Sequence, residues 1–177
     1  MDLKIVFTGT PGAGKTTAIK ALSDVAPMST DVANSDASLN KATTTVGMDY
    51  GHVDLDNGAR VRLFGTPGQE RFAFMWRILA KDALGLVILI DNSRPAPLAD
   101  LNLYIDHFAE LLPALPCAVG IGRTLECPLP TLDDFADALA NRGLALPVLA
   151  VDVRERDDVL LLVDTVIAQA EACTHNP

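Results

Sequence analysis

Short apolar runs alternate with amphipathic segments along the whole chain. Runs rich in Val, Ile, Leu and Phe predict strands, and apolar side chains spaced three or four residues apart predict helices. The strand-like runs cover residues 3–8, 46–55, 60–64, 84–90, 116–121 and 146–151, and the helical patterns cover residues 15–25, 71–81, 98–112, 131–140 and 155–173. Thr131 and Asp134 resemble a capping box that starts the fourth of these helices. This alternation predicts one three-layer α/β domain over residues 1–177, in which helices cover a six-stranded, mostly parallel sheet.

Two segments depart from the alternation. Asn57-Gly58 separates two strand-like runs, and because both residue types tolerate positive φ, the pair predicts an antiparallel hairpin within the sheet. Residues 28–44 are rich in Ser, Thr, Asn, Asp and Ala and have few bulky apolar side chains. That composition predicts a long mobile loop.

Composition and charge narrow the classes of function. The 177 residues carry 14 Lys and Arg against 23 Asp and Glu, a net charge of -9, which disfavours binding to nucleic acid or anionic lipid. No apolar stretch approaches the roughly 20 residues of a membrane span, and the first residues lack the pattern of a secretion signal, so we expect a cytoplasmic protein. Three cysteines and three histidines are too scattered to predict a disulfide framework or a metal cluster.

A glycine-rich motif follows the first predicted strand. Residues 9–16 fit the pattern G-x-x-x-x-G-K-[ST] at the start of the first predicted helix. In that position backbone N–H groups and the helix N-terminus attract phosphates, the lysine reaches the β- and γ-phosphates, and the hydroxyl ligates Mg²⁺. The alternative is a glycine-rich turn that fits the pattern by chance. The predicted phosphate-binding residues are Pro11, Gly12, Ala13, Gly14, Lys15, Thr16 and Thr17, with Thr16 also a metal ligand.

A second motif discriminates among P-loop proteins. The segment Gly65-Thr66-Pro67-Gly68-Gln69 and the glutamate after it resemble the D-x-x-G-Q-E switch II of Ras-like small GTPases in all but the first position. The order of predicted elements matches as well, so the resemblance covers essentially the whole chain. It implies a Ras-like G domain of the P-loop NTPase class that binds GTP and GDP with Mg²⁺. It also implies that the Gly68 N–H meets the γ-phosphate and that Gln69 orients the attacking water.

The same resemblance implies a switch I threonine. Thr45 is the last of three consecutive threonines and is expected to close over Mg²⁺ and the γ-phosphate, as both a catalytic and a metal-binding residue. Thr44 could be that residue instead. The threonines could also simply begin an edge strand, since β-branched residues favour strands.

A first departure from the small-GTPase pattern concerns the metal. Gly65 stands where small GTPases usually carry the aspartate that holds Mg²⁺ through water. Together with the segment that follows Thr45, this change makes the chain most similar to bacterial Ras-like GTPases related to the gliding-motility switch protein, which are commonly partnered with roadblock-domain proteins. Asp49, Asp54 or Asp91 could supply the missing carboxylate, and the sequence leaves that choice open.

A second departure concerns the base. Gly122, Arg123 and Leu125 stand where small GTPases carry the guanine-reading N-K-x-D motif, so the carboxylate that accepts from guanine is missing. Glu126 could replace it if the loop shifts by one residue, and Arg123 could stack on the base. Because polar pairing with the base edge accounts for strong discrimination, most of the preference for GTP over ATP could be lost.

The last predicted strand ends in a segment that keeps the family's pattern in outline. Asp152-Val153-Arg154 resembles the S-A-K loop, whose middle backbone N–H meets the guanine carbonyl oxygen. These three residues are therefore expected at the base. After switch II, the large apolar residues Phe72, Phe74, Met75 and Trp76 are expected to divide between the core and an exposed partner surface.

The resemblance predicts a molecular switch that hydrolyses GTP slowly with Mg²⁺. Its two switch loops would bind a regulatory partner, such as a roadblock-domain protein, in one nucleotide state and release it in the other. One alternative is a pseudo-GTPase scaffold that binds nucleotide with little or no hydrolysis. A second alternative is a small-molecule P-loop kinase, which only the style of the glycine-rich loop supports.

Overall fold

The computed structural model describes residues 2–28, 31–33, 43–45 and 47–174. At residues 2, 31–33, 43–45 and 174 it describes the backbone but not the side chains. The strands are β1 (Asp2–Gly9), β2 (Asp31–Ala33), β3 (Thr43–Thr45), β4 (Asp49–Asp54), β5 (Arg60–Gly65), β6 (Gly85–Asp91), β7 (Cys117–Gly122) and β8 (Val148–Ala150). The α-helices are α1 (Lys15–Leu22), α2 (Ala73–Ala80), α3 (Pro97–Phe108), α4 (Leu132–Ala140) and α5 (Arg156–Thr174).

Six of these strands form the central sheet, in the order β4-β5-β1-β6-β7-β8. Every neighbouring pair is parallel except β4 with β5, which is antiparallel. The turn between β4 and β5 contains Asn57 and Gly58, and Gly58 has the positive φ of 79° that this turn requires. The predicted three-layer α/β fold with one antiparallel pair is therefore confirmed.

Apolar side chains fill both faces of the sheet. On one face, β1, β6 and β7 pack against α2, α3 and α4, with Trp76, Tyr104 and Phe108 among the fully buried side chains. On the other face, the same strands and β5 pack against α1 and α5. Every residue of β6 is buried, as expected of a central parallel strand. The carboxyl ends of β1, β6, β7 and β8 meet at one edge, where ligands bind in open α/β sheets.

Several helices are shorter than the periodicity predicts. Helix α1 ends at Leu22 instead of Val25, because Ser23 turns to extended geometry and its hydroxyl bonds the backbone of His52 on β4. The predicted helix over residues 71–81 divides into a 3-10 turn at Glu70–Phe72 and the shorter α2. The N-terminal capping box of α4 is present as predicted, formed by Thr131 and Asp134.

The polar segment at residues 28–44 contains more regular structure than the prediction of a loop allows. Met28 forms an antiparallel bridge with Tyr50 on the edge strand β4. Farther along, β2 pairs with β3 in a separate two-stranded sheet, so the threonines at 43–45 lie in a strand. Residues 29–30 and 34–42 lie outside the described residues. No helix in the described part of the chain is long and apolar enough to cross a membrane.

Candidate nucleotide site

The glycine-rich loop connects the carboxyl end of β1 to the first turn of α1. Gly14 adopts a φ of +97°, which favours glycine, and a Cβ there would lie 2.5 Å from the Val153 Cγ2 atom. Glycine at this position therefore allows the loop to lie directly against the segment after β8. Gly12 also has positive φ, at +80°, and Ala13 is buried behind it. The predicted phosphate-binding residues 11–16 thus form one continuous turn, and Thr17 is exposed on the helix behind it.

Lys15 is folded back into the loop that precedes it. Its ammonium donates to the carbonyl oxygens of Gly9 at 2.7 Å and Thr10 at 2.8 Å, and the residue is buried. These carbonyl groups hold the charged Nζ atom at the inner side of the glycine-rich loop. A fixed, poorly hydrated positive charge at the N-terminal end of a helix attracts phosphate oxygens.

The loop after β5 lies against the glycine-rich loop. A Cβ at Gly68 would lie 2.6 Å from the Pro11 backbone nitrogen and 2.8 Å from the Lys15 Nζ atom. Any larger residue would therefore displace the two loops from each other. The loop begins with Thr66, whose backbone N–H donates to Phe7 and whose hydroxyl bonds that of Thr8 at 2.9 Å.

Two aromatic side chains of the core donate hydrogen bonds to the same loop. The Trp76 indole Nε1 donates to the Pro67 carbonyl oxygen at 2.6 Å, and the Tyr104 hydroxyl donates to the Gly68 carbonyl oxygen at 3.3 Å. Gln69, the predicted water-positioning residue, follows directly and is half-buried. Its Oε1 atom is buried and has no hydrogen-bond partner among the described residues. Gly68 thus lies against the glycine-rich loop with Gln69 next to it in the chain, and the roles of both residues toward the γ-phosphate stay predictions.

A buried carboxylate from β4 reaches the end of the glycine-rich loop. The Thr16 hydroxyl donates to the Asp49 Oδ2 atom at 2.6 Å, and Asp49 has no solvent exposure. Asp49 lies directly opposite Gly65 in the antiparallel β4-β5 pair. A Cβ at Gly65 would be only 3.0 Å from Asp49 Oδ2 and 2.9 Å from Ile19 Cδ1. The Asp49 carboxylate therefore lies beside the position that the missing switch II aspartate would occupy.

This geometry decides among the three carboxylates that the sequence left open. Asp54 lies at the far end of β4, exposed, and pairs with Arg60 at 2.6 Å. Asp91 accepts from the backbone N–H and hydroxyl of Ser93 in the turn after β6. Asp49 is the one of the three that contacts the glycine-rich loop.

The donor set at Thr16 and Asp49 fits Mg²⁺. A hydroxyl and a carboxylate are hard oxygen ligands, and Mg²⁺ is usually bound by one or two carboxylates together with substrate phosphates. The second carboxylate oxygen, Asp49 Oδ1, is buried and has no partner among the described residues, so it has a free acceptor position. Within residues 2–28, 31–33, 43–45 and 47–174, no group of three or more His, Cys, Asp or Glu side chains could hold a metal by itself. The site is therefore suited to a metal that arrives with phosphates.

A cleft of about 300 Å³ extends from the glycine-rich loop along the ends of β7 and β8. Ala13, residues 122–126 and residues 150–154 line it, so the structure brings the predicted base-binding segments together. Arg123 adopts a φ of +61°, and its Nε atom lies 3.4 Å from an Asp91 carboxylate oxygen. Its side chain is consequently held at the β6 side of the cleft.

Hydrogen bonds also fix the segment after β8. The Asp152 backbone N–H donates to the Asp158 carboxylate at 2.8 Å, which ties the segment to the first turn of α5. The Arg154 side chain donates twice to the Asp152 carboxylate, at 2.6 and 2.9 Å. These bonds lower the pKa of the Asp152 carboxyl to about 2. The Val153 side chain, between them, packs on Gly14 of the glycine-rich loop.

The guanine-reading position shows the largest departure from a GTPase. Leu125 is 96% exposed, and its side chain offers no acceptor to a base. Asp91 and Asp152 line or flank the cleft but are engaged by Arg123 and Arg154. Glu126 is exposed at the rim of the cleft. At this end the structure therefore offers paired charges and backbone groups in place of a dedicated carboxylate.

Asn92 is a site residue that sequence reasoning missed. Its side-chain amide, almost fully buried, donates to the carbonyl oxygens of Cys127 at 2.7 Å and Pro130 at 3.0 Å. It thereby anchors the loop that carries residues 123–126. The available signal was a polar amide directly after a fully apolar strand, since buried polar groups require partners. Trp76 was expected only as an apolar residue, because sequence does not show which carbonyl an indole reaches.

The predicted switch I threonine belongs to β3. The backbone of Thr45 pairs with Asp31 in the two-stranded sheet. The Thr45 side chain lies outside the described residues, so its expected contact with Mg²⁺ stays a prediction, as does the alternative at Thr44.

Comparisons with known proteins agree with this fold. A model of the family described as "conserved hypothetical ATP binding protein" matches residues 28–122. An uncharacterized protein of Methanocaldococcus jannaschii is 28% identical over 93 residues, which are 52% of this chain and 53% of that protein. The chain thus aligns with about half the length of that curated relative.

A solved small GTPase shows the same architecture. The Arl6 (BBS3) small GTPase from Trypanosoma brucei, with the bound nucleotide analogue GppNp, superposes with a TM-score of 0.70 at 16% identity. The superposition covers 97% of this chain and 99% of that one, and at this identity it shows the fold alone. The resemblance to small GTPases is therefore confirmed for the fold, without the gliding-motility group. Because the matched segment 28–122 is more than half of the sequence, the chain belongs to the family of conserved hypothetical ATP-binding proteins.

Proposed function

We propose that the chain is a nucleoside-triphosphate switch that binds its nucleotide with Mg²⁺ and hydrolyses it slowly. The observation that carries the proposal is the contact between Thr16 and the buried Asp49 at the phosphate end of the cleft. A buried carboxylate costs free energy unless it is paired or ligates a metal, and Asp49 keeps one oxygen without a partner among the described residues. That cost favours a site built for a cation.

Each residue at the phosphate end has a role in this proposal. Lys15 and the N-terminal end of α1 bind the β- and γ-phosphates, and Thr16 and Asp49 hold the metal. Bound Mg²⁺ would neutralise charge that develops on the phosphate oxygens. The Gly68 N–H contacts the γ-phosphate, and Gln69 orients the attacking water. Thr45 closes over the same phosphate from the other side, as the family resemblance implies.

Hydrolysis is proposed to be slow because the arginines nearest in sequence to the switch II loop and β6 have other partners. The Arg71 guanidinium lies over the Phe72 ring at 5.0 Å, and Arg94 pairs with Asp100 at 2.6 Å. An arginine that neutralises the transferring phosphate, supplied within the chain or by a partner, accelerates such reactions by about 10³ to 10⁵. A partner protein would then set the lifetime of the triphosphate state.

GTP and GDP are the proposed nucleotides, with only a weak preference over ATP and ADP. Residues 152–154 line the cleft next to Ala13 of the glycine-rich loop, which supports base binding through a main-chain N–H of this segment. Leu125, exposed and apolar, supports the loss of guanine selection. The description of the family as ATP-binding points the same way.

A regulatory partner is proposed to bind at the switch loops and α2. Phe74 and Ile78 are four residues apart on α2, and both side chains are about two-thirds exposed, at 64% and 67%. A short 3-10 turn connects the switch II loop to α2, so a movement of that loop would shift the two side chains. A roadblock-domain protein is the partner that the family resemblance suggests.

One titration series tests the proposal. Calorimetry with non-hydrolysable GTP and ATP analogues, GDP and ADP, each with and without Mg²⁺, should give Mg²⁺-dependent binding of the triphosphates and less than about tenfold separation between the bases. Phosphate release without any acceptor should then be measurable over hours. Nucleotide binding without phosphate release would favour the pseudo-GTPase scaffold. Formation of the diphosphate only with an added acceptor, which becomes phosphorylated, would favour the kinase.

A further inference from the structure

We propose that Trp76 is the positioning residue that directs the Gly68 N–H toward the terminal phosphate, so that its indole sets the discrimination between triphosphate and diphosphate. The inference rests on the proposed function, because it assigns a cause to the phosphate sensing proposed there.

The Trp76 side chain is rigidly held. It has no solvent exposure, stacks on the Tyr104 ring at 4.7 Å between centroids, and meets the His107 ring edge-on at 5.0 Å. Its Nε1 atom donates to the Pro67 carbonyl oxygen at 2.6 Å. A buried indole with a single N–H donor in fixed packing gives that carbonyl one preferred direction.

The direction of a carbonyl fixes the direction of the next N–H. The Pro67-Gly68 peptide is trans, and in a trans peptide the C=O and N–H vectors point in opposite directions. Because the Pro67 carbonyl points down to Trp76 in the core, the Gly68 N–H points away from the core. No acceptor for that N–H is present among the described residues.

The contacts of Gly68 place this N–H at the phosphate end. The Gly68 Cα is packed so closely on Pro11 that an added Cβ would lie 2.8 Å from the Lys15 Nζ atom. A γ-phosphate bound by Lys15 would therefore lie within reach of the donor that Trp76 orients. A diphosphate would not use the donor at all, so the indole should affect only the triphosphate.

Removal of the indole N–H tests the assignment. Trp76→Phe, and an isosteric replacement at position 76 by benzothienylalanine, whose sulfur replaces the N–H, should each weaken binding of a non-hydrolysable GTP analogue about tenfold. GDP affinity should change by less than about twofold. Phe108→Leu, which alters another buried ring of the same apolar layer, is the packing control and should keep the wild-type ratio of the two affinities.

The indole N–H resonance of Trp76 gives a readout that does not depend on measured affinities. Trp76 is the single tryptophan of the chain, so a ¹⁵N-labelled sample shows one indole N–H resonance. We expect it to exchange slowly with solvent and to shift on addition of the triphosphate analogue. A fast-exchanging indole N–H, or an unchanged triphosphate-to-diphosphate ratio in both position-76 variants, would overturn the assignment while leaving nucleotide binding intact. A wild-type protein that binds neither nucleotide would overturn the assignment and the proposed function together.

Discussion

The phosphate end and the base end of the cleft are built differently. The phosphate end consists of the glycine-rich loop, Asp49 and the loop that contains Gly68. Lys15 and Asp49 are buried there, and Gly68 is tightly packed against Pro11 and Lys15. At the base end, the polar groups include the exposed side chains of Arg123, which pairs with Asp91 at the end of β6, and Arg154, which pairs with Asp152 in its own segment. In the proposed function, the features that all nucleoside triphosphates share would contact rigid buried groups, whereas those that separate guanine from adenine would contact exposed loops.

The position of Asp49 supports the proposal that a carboxylate on β4 replaces the aspartate missing at Gly65. Residues directly opposite in an antiparallel pair have Cβ atoms about 5 Å apart, so a carboxylate can move to the adjacent strand without leaving the site. Gly65 leaves the space, and Asp49 across the β4-β5 pair occupies it. No equivalent exchange is present at the base end, because Leu125 lies in an exposed loop without a paired strand.

The largest expected effect comes from removing the charge at the phosphate end. Lys15→Ala should weaken triphosphate binding at least about 100-fold, because a charge-assisted bond to phosphate in a poorly hydrated site is worth about 3 kcal/mol. Lys20→Ala, on the exposed face of the same helix, is the matched control and should leave the affinity within about twofold. Calorimetry gives both values. Equal affinities for the two variants would contradict the assignment of the phosphate end.

The next largest effect separates metal binding from phosphate binding. Asp49→Asn keeps the size of the side chain but removes its charge, so the affinity for the triphosphate in Mg²⁺ should fall about 30-fold while the affinity in EDTA stays within about threefold. Asp54→Asn, on the same strand but at the surface, serves as control. If Asp49→Asn and Asp54→Asn show the same Mg²⁺ dependence of triphosphate affinity, Asp49 is not a ligand of the metal.

A swap of the two strand positions sharpens that test. Gly65→Asp alone should destabilise the fold by about 3 kcal/mol, because a second buried carboxylate would lie against Asp49 and Ile19. The double variant Asp49→Gly with Gly65→Asp returns the carboxylate to the small-GTPase position and should recover most of the lost stability and Mg²⁺-dependent affinity. Urea unfolding and calorimetry measure the two recoveries. A double variant no better than either single one would show that Asp49 does not replace the missing residue.

A smaller effect is expected from rebuilding selectivity at the base end. Leu125→Asp should raise the preference for GTP over ATP about tenfold, because a carboxylate at this position can accept from the guanine N–H groups. The same substitution at Leu129, another exposed leucine of that loop, should leave the ratio of affinities unchanged. A competition assay with both nucleotides reads the ratio directly. If Leu125→Asp leaves it unchanged, the loop after β7 does not contact the base.

Elements that depend on neighbouring residues could be predicted from sequence better than contacts between distant residues. Asn57-Gly58 predicted the hairpin, and the Thr131–Asp134 capping box predicted the start of α4. The motif likewise predicted the glycine-rich loop, since its geometry is determined by neighbouring residues. The role of Asp49 depends on its register with Gly65, sixteen positions away in the chain. In a hairpin the length of the turn sets the register, and the Asn57-Gly58 pair alone does not determine that length.

The smallest expected effect is a change in the pKa of one carboxyl group at the base end, that of Asp152. The Arg154 guanidinium bonds the Asp152 carboxylate and lowers its pKa to about 2, from about 3.9 in an unfolded chain. A lowered folded-state pKa stabilises the fold above the unfolded value, and that contribution is lost as the pH falls through about 2. Arg154→Gln should therefore raise the Asp152 pKa only part of the way toward its unfolded value, because the backbone N–H at position 154 still donates to the carboxylate. An NMR titration of the carboxyl carbon measures that rise. Because the Arg154 side chain is 73% exposed and the Asp152 side chain 37%, salt screens the pair, and nucleotide affinity at neutral pH should change less than about twofold. A large loss of affinity would mean instead that Arg154 itself contacts the nucleotide, and the base end would then depend on a charged group as strictly as the phosphate end depends on Lys15.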